Sequence, residues 1–180
     1  DLALQAATRD WFAKACSHEY SYHFRWLGIP IIQFPQDIVA MQEIIWEVKP
    51  DLIIETGIAR GGSLIFYSSM LRLLGRGEVL GIDIDIRPHN REAIESHPMA
   101  DRITMFEGSS VSDEMGARVR EFAKGHETVL VVLDSNHTHE HVLRELGLYA
   151  PLVTPGSYCV VFDTVVEDMP PGSFPDRPWD

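Results

Sequence analysis

The chain has 180 residues, 45% of them hydrophobic, which suits one globular domain with a real core rather than a disordered chain. Its formal net charge of -12 removes the basic surface that a nucleic acid or an anionic membrane would need, so neither partner is expected. No apolar run reaches the ~18 residues of a membrane span, no basic-then-apolar leader opens the chain, and two cysteines, Cys16 and Cys159, make no disulfide scaffold, so a cytoplasmic setting is expected.

Residues 1–19 read as an amphipathic helix, with Leu4, Trp11, Phe12 and Ala15 near helical spacing. Residues 20–35 are aromatic and broken by Pro30 and Pro35, which predicts irregular structure. Residues 37–48 carry a helical stripe of Ile38, Met41, Ile44, Ile45 and Val48, and Pro50 stops it. The period then changes. Strands are predicted at 51–55, 78–84, 103–106, 128–133 and 157–162, and helices at 64–74, 91–95, 113–124 and 139–150. This alternation implies right-handed βαβ units and a doubly wound, mainly parallel α/β sheet of Rossmann-like type. The tail at 169–180 holds four prolines and reads as loop. Two regions are expected: 1–36, an N-terminal helix and aromatic arm or lid, and 37–180, a ligand-binding Rossmann-like domain. The arm is expected either to line a substrate pocket or to pack on a neighbouring subunit.

In such a sheet, ligands bind at the carboxyl ends of the strands. The run Glu55-Thr56-Gly57-Ile58-Ala59-Arg60-Gly61-Gly62-Ser63 follows the first strand. Gly57 allows a sharp turn, and Gly61 and Gly62 allow a ligand to approach a helix N-terminus. Its glycines follow a GxxxG spacing behind an acid, not GxGxxG. That favours S-adenosylmethionine (SAM) over a dinucleotide. Asp83 ends the second strand, 26 residues after Gly57, where a carboxylate can accept both ribose hydroxyls. Gly108-Ser109-Ser110 ends the third strand, where a small polar loop can meet an adenine edge. Asp134 ends the fourth, and His137 three residues on is a candidate general base. His139 and His141 read as an exposed helix start, because i and i+2 face different ways on a helix. Asp163, 29 residues after Asp134, follows the fifth strand, so two carboxylates at neighbouring strand ends are candidates to hold Mg²⁺.

The motifs ETGIARGGS, GIDIDIRPHN, EGSS, LDSNHTHEHV and GSYCVVFDT, in this order, together resemble the cephalosporin hydroxylase/rhamnosyl O-methyltransferase family, over roughly residues 20–170. The resemblance implies a class I methyltransferase fold and SAM as cofactor. It implies that Glu55, Gly57, Gly61 and Ser63 line the methionine part of SAM, that Asp83 holds the ribose, and that Ser109 and Ser110 lie near the adenine. It further implies that Asp134 and Asp163 bind Mg²⁺ and that His137 is the base, with Phe162 standing where related sugar O-methyltransferases carry a second acid. Asn136 is a candidate replacement oxygen. The expected reaction is methyl transfer to a hydroxyl of a small molecule, a sugar or natural-product scaffold, by a homo-oligomer. Two rivals follow from the family name and from Phe162: a hydroxylase-type oxygenase, and a non-catalytic SAM-binding partner subunit in antibiotic biosynthesis. The family fold closes with a hairpin of two further strands that this sequence does not reach, and the first residue is Asp1 rather than Met. A truncated chain is therefore expected.

Overall fold

A computed structural model describes residues 1–169 and 173. The proline-rich tail read as loop lies outside them apart from Met169 and Ser173. Helix α1 (Leu2–Ser17) starts at Asp1, whose carboxylate accepts from the Ala3 and Leu4 amides and so satisfies two orphan donors of the first turn. Only Ala15 of this helix is buried.

The segment expected to be irregular holds a short 3₁₀ turn at Tyr20–His23 and a small hairpin, β1 (Arg25–Trp26) with β2 (Ile29–Pro30). Leu27 and Gly28 both take positive φ, 47° and 91°, the backbone that a tight two-residue hairpin loop demands. The strands are too short to leave a period-2 signal. Helix α2 (Pro35–Val48) begins on proline, which is tolerated in the first turn, and buries Met41 and Ile45.

The main sheet has five parallel strands: β3 (Leu52–Thr56), β4 (Glu78–Asp83), β5 (Ile103–Glu107), β6 (Val129–Leu133) and β7 (Cys159–Val161). Their spatial order is β5-β4-β3-β6-β7. Helices α3 (Gly62–Leu74), α4 (Pro88–Glu95), α5 (Asp113–Phe122) and α6 (His139–Tyr149) connect them, so the predicted Rossmann-like α/β fold is observed. The central strands β3 and β6 are buried at every residue, as strands covered on both faces must be. Alternate side chains feed two cores. Ile53, Val79 and Leu130 pack in one with Ile45 and Phe66, while Leu52, Leu80 and Val131 pack in the other with Val119 and Leu148.

The chain reverses its direction of travel across the sheet between β3 and β6. A crevice therefore opens at their carboxyl ends, the place where a doubly wound sheet accepts ligand. Among the described residues, no helix is long and apolar enough to cross a membrane. Cys16 and Cys159 are both free thiols.

Candidate functional site

The strand ends are tied to one another by backbone bonds. Gly57 N–H donates to the Ile82 carbonyl (2.8 Å), and Asp134 N–H donates to the Thr56 carbonyl (2.9 Å). Gly57 has φ of 93°, and a Cβ there would stand 2.0 Å from the Asp134 carbonyl oxygen. Glycine thus lets the turn after β3 lie directly against the end of β6. Gly61, with φ of 86°, caps α3, and a Cβ there would meet the Ile94 side chain. Gly62 serves a different purpose from the ligand approach expected for it. A Cβ on it would stand 2.3 Å from the Pro30 carbonyl oxygen, so it makes room for the β1–β2 hairpin.

Asp83 reaches back under this turn. Its Oδ2 accepts from the Ile58 and Ala59 amides (2.8 and 3.1 Å), and its Oδ1 accepts from Asp85 N–H (3.2 Å). The carboxylate therefore holds the glycine turn in shape from the neighbouring strand. It remains half-buried, and an ionised carboxylate offers about four lone-pair sites, of which these bonds use three, so about one is left, on Oδ1, for a ligand hydroxyl.

Glu55 is fully buried at the base of the crevice. It accepts from Ser63 Oγ (2.6 Å) and from the Tyr67 hydroxyl (3.0 Å). Burial pushes its carboxyl up to about 8; the two hydroxyl bonds oppose that rise and the charge of Asp83 adds to it. Ser63 is thus committed to Glu55, and Tyr67 is a partner that the sequence pattern did not single out. A neutral acid here has a measurable consequence. The folded-state pKa lies above the unfolded value, so between about pH 4.5 and 8 the unfolded chain holds fewer protons than the folded one. Stability should fall as pH rises through that window, by on the order of 3–5 kcal/mol. Glu55→Gln should flatten this slope in urea unfolding curves taken at each pH. An unchanged slope would mean that Glu55 is ionised in the native state.

Across the crevice, Asp134, His137 and Asp163 converge, with one ligand atom from each lying within 4.8 Å of the others. His137 Nε2 stands 3.1 Å from Asp163 Oδ2. Asp163 follows β7 in a left-handed conformation (φ 56°), uncommon outside glycine but best tolerated by Asp and Asn. Burial is the main cause holding the Asp134 carboxyl well above the usual carboxylate range, with the charges of Asp163 and Glu55 adding to it. Phe162 packs at the edge of the core and lines the adjoining cavity. The Asn136 side-chain oxygen accepts from Thr138 N–H (3.0 Å), so it caps its own turn instead of joining the cluster.

The serines and the remaining histidines divide. The Ser109 carbonyl accepts from Ser112 N–H and Oγ. Ser110 is buried, and its hydroxyl faces His141 Nε2 (3.2 Å). His141 was expected to sit on an exposed helix start. It is half-buried, 3.2 Å from Ser135 Oγ and 3.3 Å from Glu145, while Ser135 donates to Glu145 (2.7 Å). Burial of Glu145 on the inner face of α6 draws the ring inward one turn earlier, which i,i+4 spacing makes possible. His139 is exposed, as expected.

The aromatic arm packs on its own chain. Phe12 stacks on Phe34 with centroids 4.8 Å apart, and Trp26 meets Phe66 edge-on at 4.8 Å while donating to Ser69 Oγ (3.0 Å). It thereby walls a cavity of about 270 Å³ beside Asp134 and Asp163.

The chain has relatives among known proteins. The chain is 31% identical over 150 residues to a rhamnosyl O-methyltransferase of Mycobacterium leprae (strain TN), covering 81% of this chain and 62% of that protein. It is 30% identical over 150 residues to a rhamnosyl O-methyltransferase of Mycobacterium tuberculosis (strain ATCC 25618 / H37Rv), covering 81% and 58%. The chain therefore spans about six-tenths of the length of these relatives. Among solved structures it resembles CmcI with Mg and SAM (D160 form), with TM-score 0.58 and 20% identity over 80% of this chain and 59% of that one. It also resembles a putative caffeoyl-CoA O-methyltransferase from Staphylococcus aureus, with TM-score 0.56 and 16% identity over 70% and 56%. Both likenesses establish the fold. The profile of the family described as rhamnosyl O-methyltransferase/CmcI matches residues 18–180, and the chain belongs to that family.

Proposed function

We propose that the chain is the catalytic domain of a SAM-dependent O-methyltransferase acting on a hydroxyl of a small molecule, a sugar or natural-product scaffold. The observation that carries this reading is the convergence of Asp134, His137 and Asp163 at the carboxyl ends of β6 and β7, between the glycine turn and a walled cavity. The mycobacterial relatives are rhamnosyl O-methyltransferases, and the CmcI structure holds Mg and SAM, which supports the same chemistry here.

In this reading Glu55, Gly57, Gly61 and Ser63 shape the methionine end of the SAM site, Asp83 accepts the ribose hydroxyls, and the Ser109–Ser110 loop borders the adenine. SAM supplies an electrophilic methyl carbon on sulfur. With SAM bound, His137 would take the proton of the acceptor hydroxyl as its oxygen is methylated. Asp163 holds the imidazole in place and stabilises the positive charge it gains. Much of the acceleration comes from aligning the oxygen with the methyl carbon.

Asp134 and Asp163 offer the hard oxygen donors that Mg²⁺ prefers, and their mutual repulsion is what a divalent ion would relieve. Bound there, Mg²⁺ would make the acceptor hydroxyl more acidic. Among the described residues the cluster contains one imidazole, so it does not supply the two-imidazole, one-carboxylate set of non-haem iron oxygenases, which weighs against the oxygenase rival. Exposed Leu2, Leu4 and Trp11 on α1 support a homo-oligomer in which this helix meets a neighbouring copy. The arm at residues 1–36 and the domain at 37–180 then act together, the first walling the acceptor pocket of the second.

The test is S-adenosylhomocysteine release with a panel of hydroxylated acceptors, with and without EDTA. Turnover that EDTA stops and Mg²⁺ restores is the expected result, and full activity in chelator would remove the metal from the scheme. Asp83→Ala should weaken SAM binding by roughly 1–3 kcal/mol in calorimetry, through loss of charge-assisted hydrogen bonds. Binding of NAD in place of SAM would overturn the cofactor assignment.

A further inference from the structure

Next to the proposed reaction centre, the walled cavity has a second polar edge that the methyl-transfer chemistry does not use. Asp37, in the first turn of α2, lines the cavity together with Asp163, half-buried and, among the described residues, with no side-chain hydrogen bond. Electrostatically it senses Asp163, and Asp134 senses it in turn, so the three carboxylates share one space. Gln33 lines the same cavity at 5% exposure. Its amide stands beside Asp134 and Tyr67 and favours their ionised forms, yet among the described residues neither its nitrogen nor its oxygen makes a hydrogen bond of good geometry. A buried amide left unmatched costs about 1–3 kcal/mol, and such a group facing a cavity points to a partner that arrives from outside.

The charge balance of the walls restricts that partner. Glu19, Asp37, Asp134 and Asp163 line the cavity, and among the described residues no lysine or arginine does. A divalent ion on Asp134 and Asp163 would balance those two charges and leave Asp37 and Glu19 unbalanced. Phe12, Phe34 and Phe162 make the apolar walls, and the hydroxyls of Ser17, Ser21, Tyr22 and Ser173 are neutral groups that bring no positive charge to offset the carboxylates.

We infer that Gln33 and Asp37 form a recognition subsite for a hydrogen-bond donor on the acceptor, a hydroxyl or amine beside the methylated oxygen, and that the pocket rejects acceptors carrying a carboxylate or phosphate. Asp37 accepts from the donor group, and Gln33 completes its own hydrogen bonding on the neighbouring substituent. This subsite rests on the O-methyltransferase reading and specifies which acceptors that site admits.

The test uses three probes of one shape and different charge: the methyl glycosides of glucose, glucosamine and glucuronic acid. Their binding to the full chain is measured by ligand-observed NMR with Mg²⁺, while SAM binding is measured separately by calorimetry on the same protein. The neutral and amino glycosides should bind at least about tenfold more tightly than the uronate, the size of one charge repulsion at short range in a partly screened pocket. Asp37→Asn should narrow that ratio to about threefold or less. Gln33→Leu should weaken the neutral glycoside about tenfold while leaving Tm unchanged or higher, because it removes an unmatched buried amide; a purely structural glutamine would lower Tm instead. Equal affinity for the three probes, preference for the uronate, no binding of any of them, or an unchanged ratio in Asp37→Asn overturns the subsite. SAM binding with no charge discrimination overturns the subsite alone, whereas absence of SAM binding overturns the methyltransferase reading with it.

Discussion

Replacing His137 with alanine should lower kcat by about 10²–10⁴-fold, the usual contribution of a positioned general base. SAM affinity should stay near its wild-type value, because His137 clusters with Asp134 and Asp163 at the ends of β6 and β7 rather than on the glycine turn. The imidazole is held by Asp163 at 3.1 Å and its side chain is only 10% exposed, so it enters the reaction already oriented. His139→Ala is the matched control, since His139 is exposed on the first turn of α6. His141→Ala should act on stability more than on kcat, because its ring sits among Ser110, Ser135 and Glu145. Steady-state kinetics with calorimetry on the same samples reads both quantities. Wild-type kcat in His137→Ala would move the base to Asp134.

Gly57→Ala should cost about 3–5 kcal/mol of folding stability, near the top of the range for single substitutions. Two effects add. A side chain at φ of 93° is strained whatever the space around it, at a cost of roughly 1–2 kcal/mol. In addition, the new Cβ would fall 2.0 Å from the Asp134 carbonyl oxygen and 2.6 Å from its carbon, both backbone atoms at the end of a fully buried strand. Neither can swing aside as a side chain would. The turn must therefore lift away from β6, which also separates Glu55 from Asp134. Gly28→Ala isolates the first effect, because Gly28 has nearly the same φ, 91°, with nothing within 4 Å of its Cβ position. Urea unfolding midpoints should place Gly57→Ala well below Gly28→Ala. Equal losses in the two variants would show that contact with β6 contributes nothing.

What the sequence determined by itself is the frame and the strand-end chemistry. Local signals carried it: helix stripes at 3.6 spacing, short apolar runs at β3 to β7, and acids or glycines placed just after them. Parallel βαβ order brings strand ends together by topology, so Glu55, Gly57, Asp83, Asp134 and Asp163 could be assigned to one crevice without coordinates. His137 followed from its distance along the chain to Asp134.

Only the tertiary structure decided the rest, because those contacts join residues distant in sequence that no period or spacing announces. Gly62 looked like part of a ligand-facing turn, yet its missing Cβ is required by Pro30, more than thirty residues earlier on the hairpin. Tyr67 stood in no motif, but its hydroxyl, from the second turn of α3, holds the buried Glu55. His141 looked like surface, and burial of Glu145 one turn later pulls it into a network with Ser110 and Ser135. Gln33 and Asp37 carried no motif at all; the first lies between hairpin and helix, and the second resembles an ordinary acid in a first helical turn. Their meaning arises from the wall they share with Asp134 and Asp163, which forms only when the arm folds back over the ends of β6 and β7.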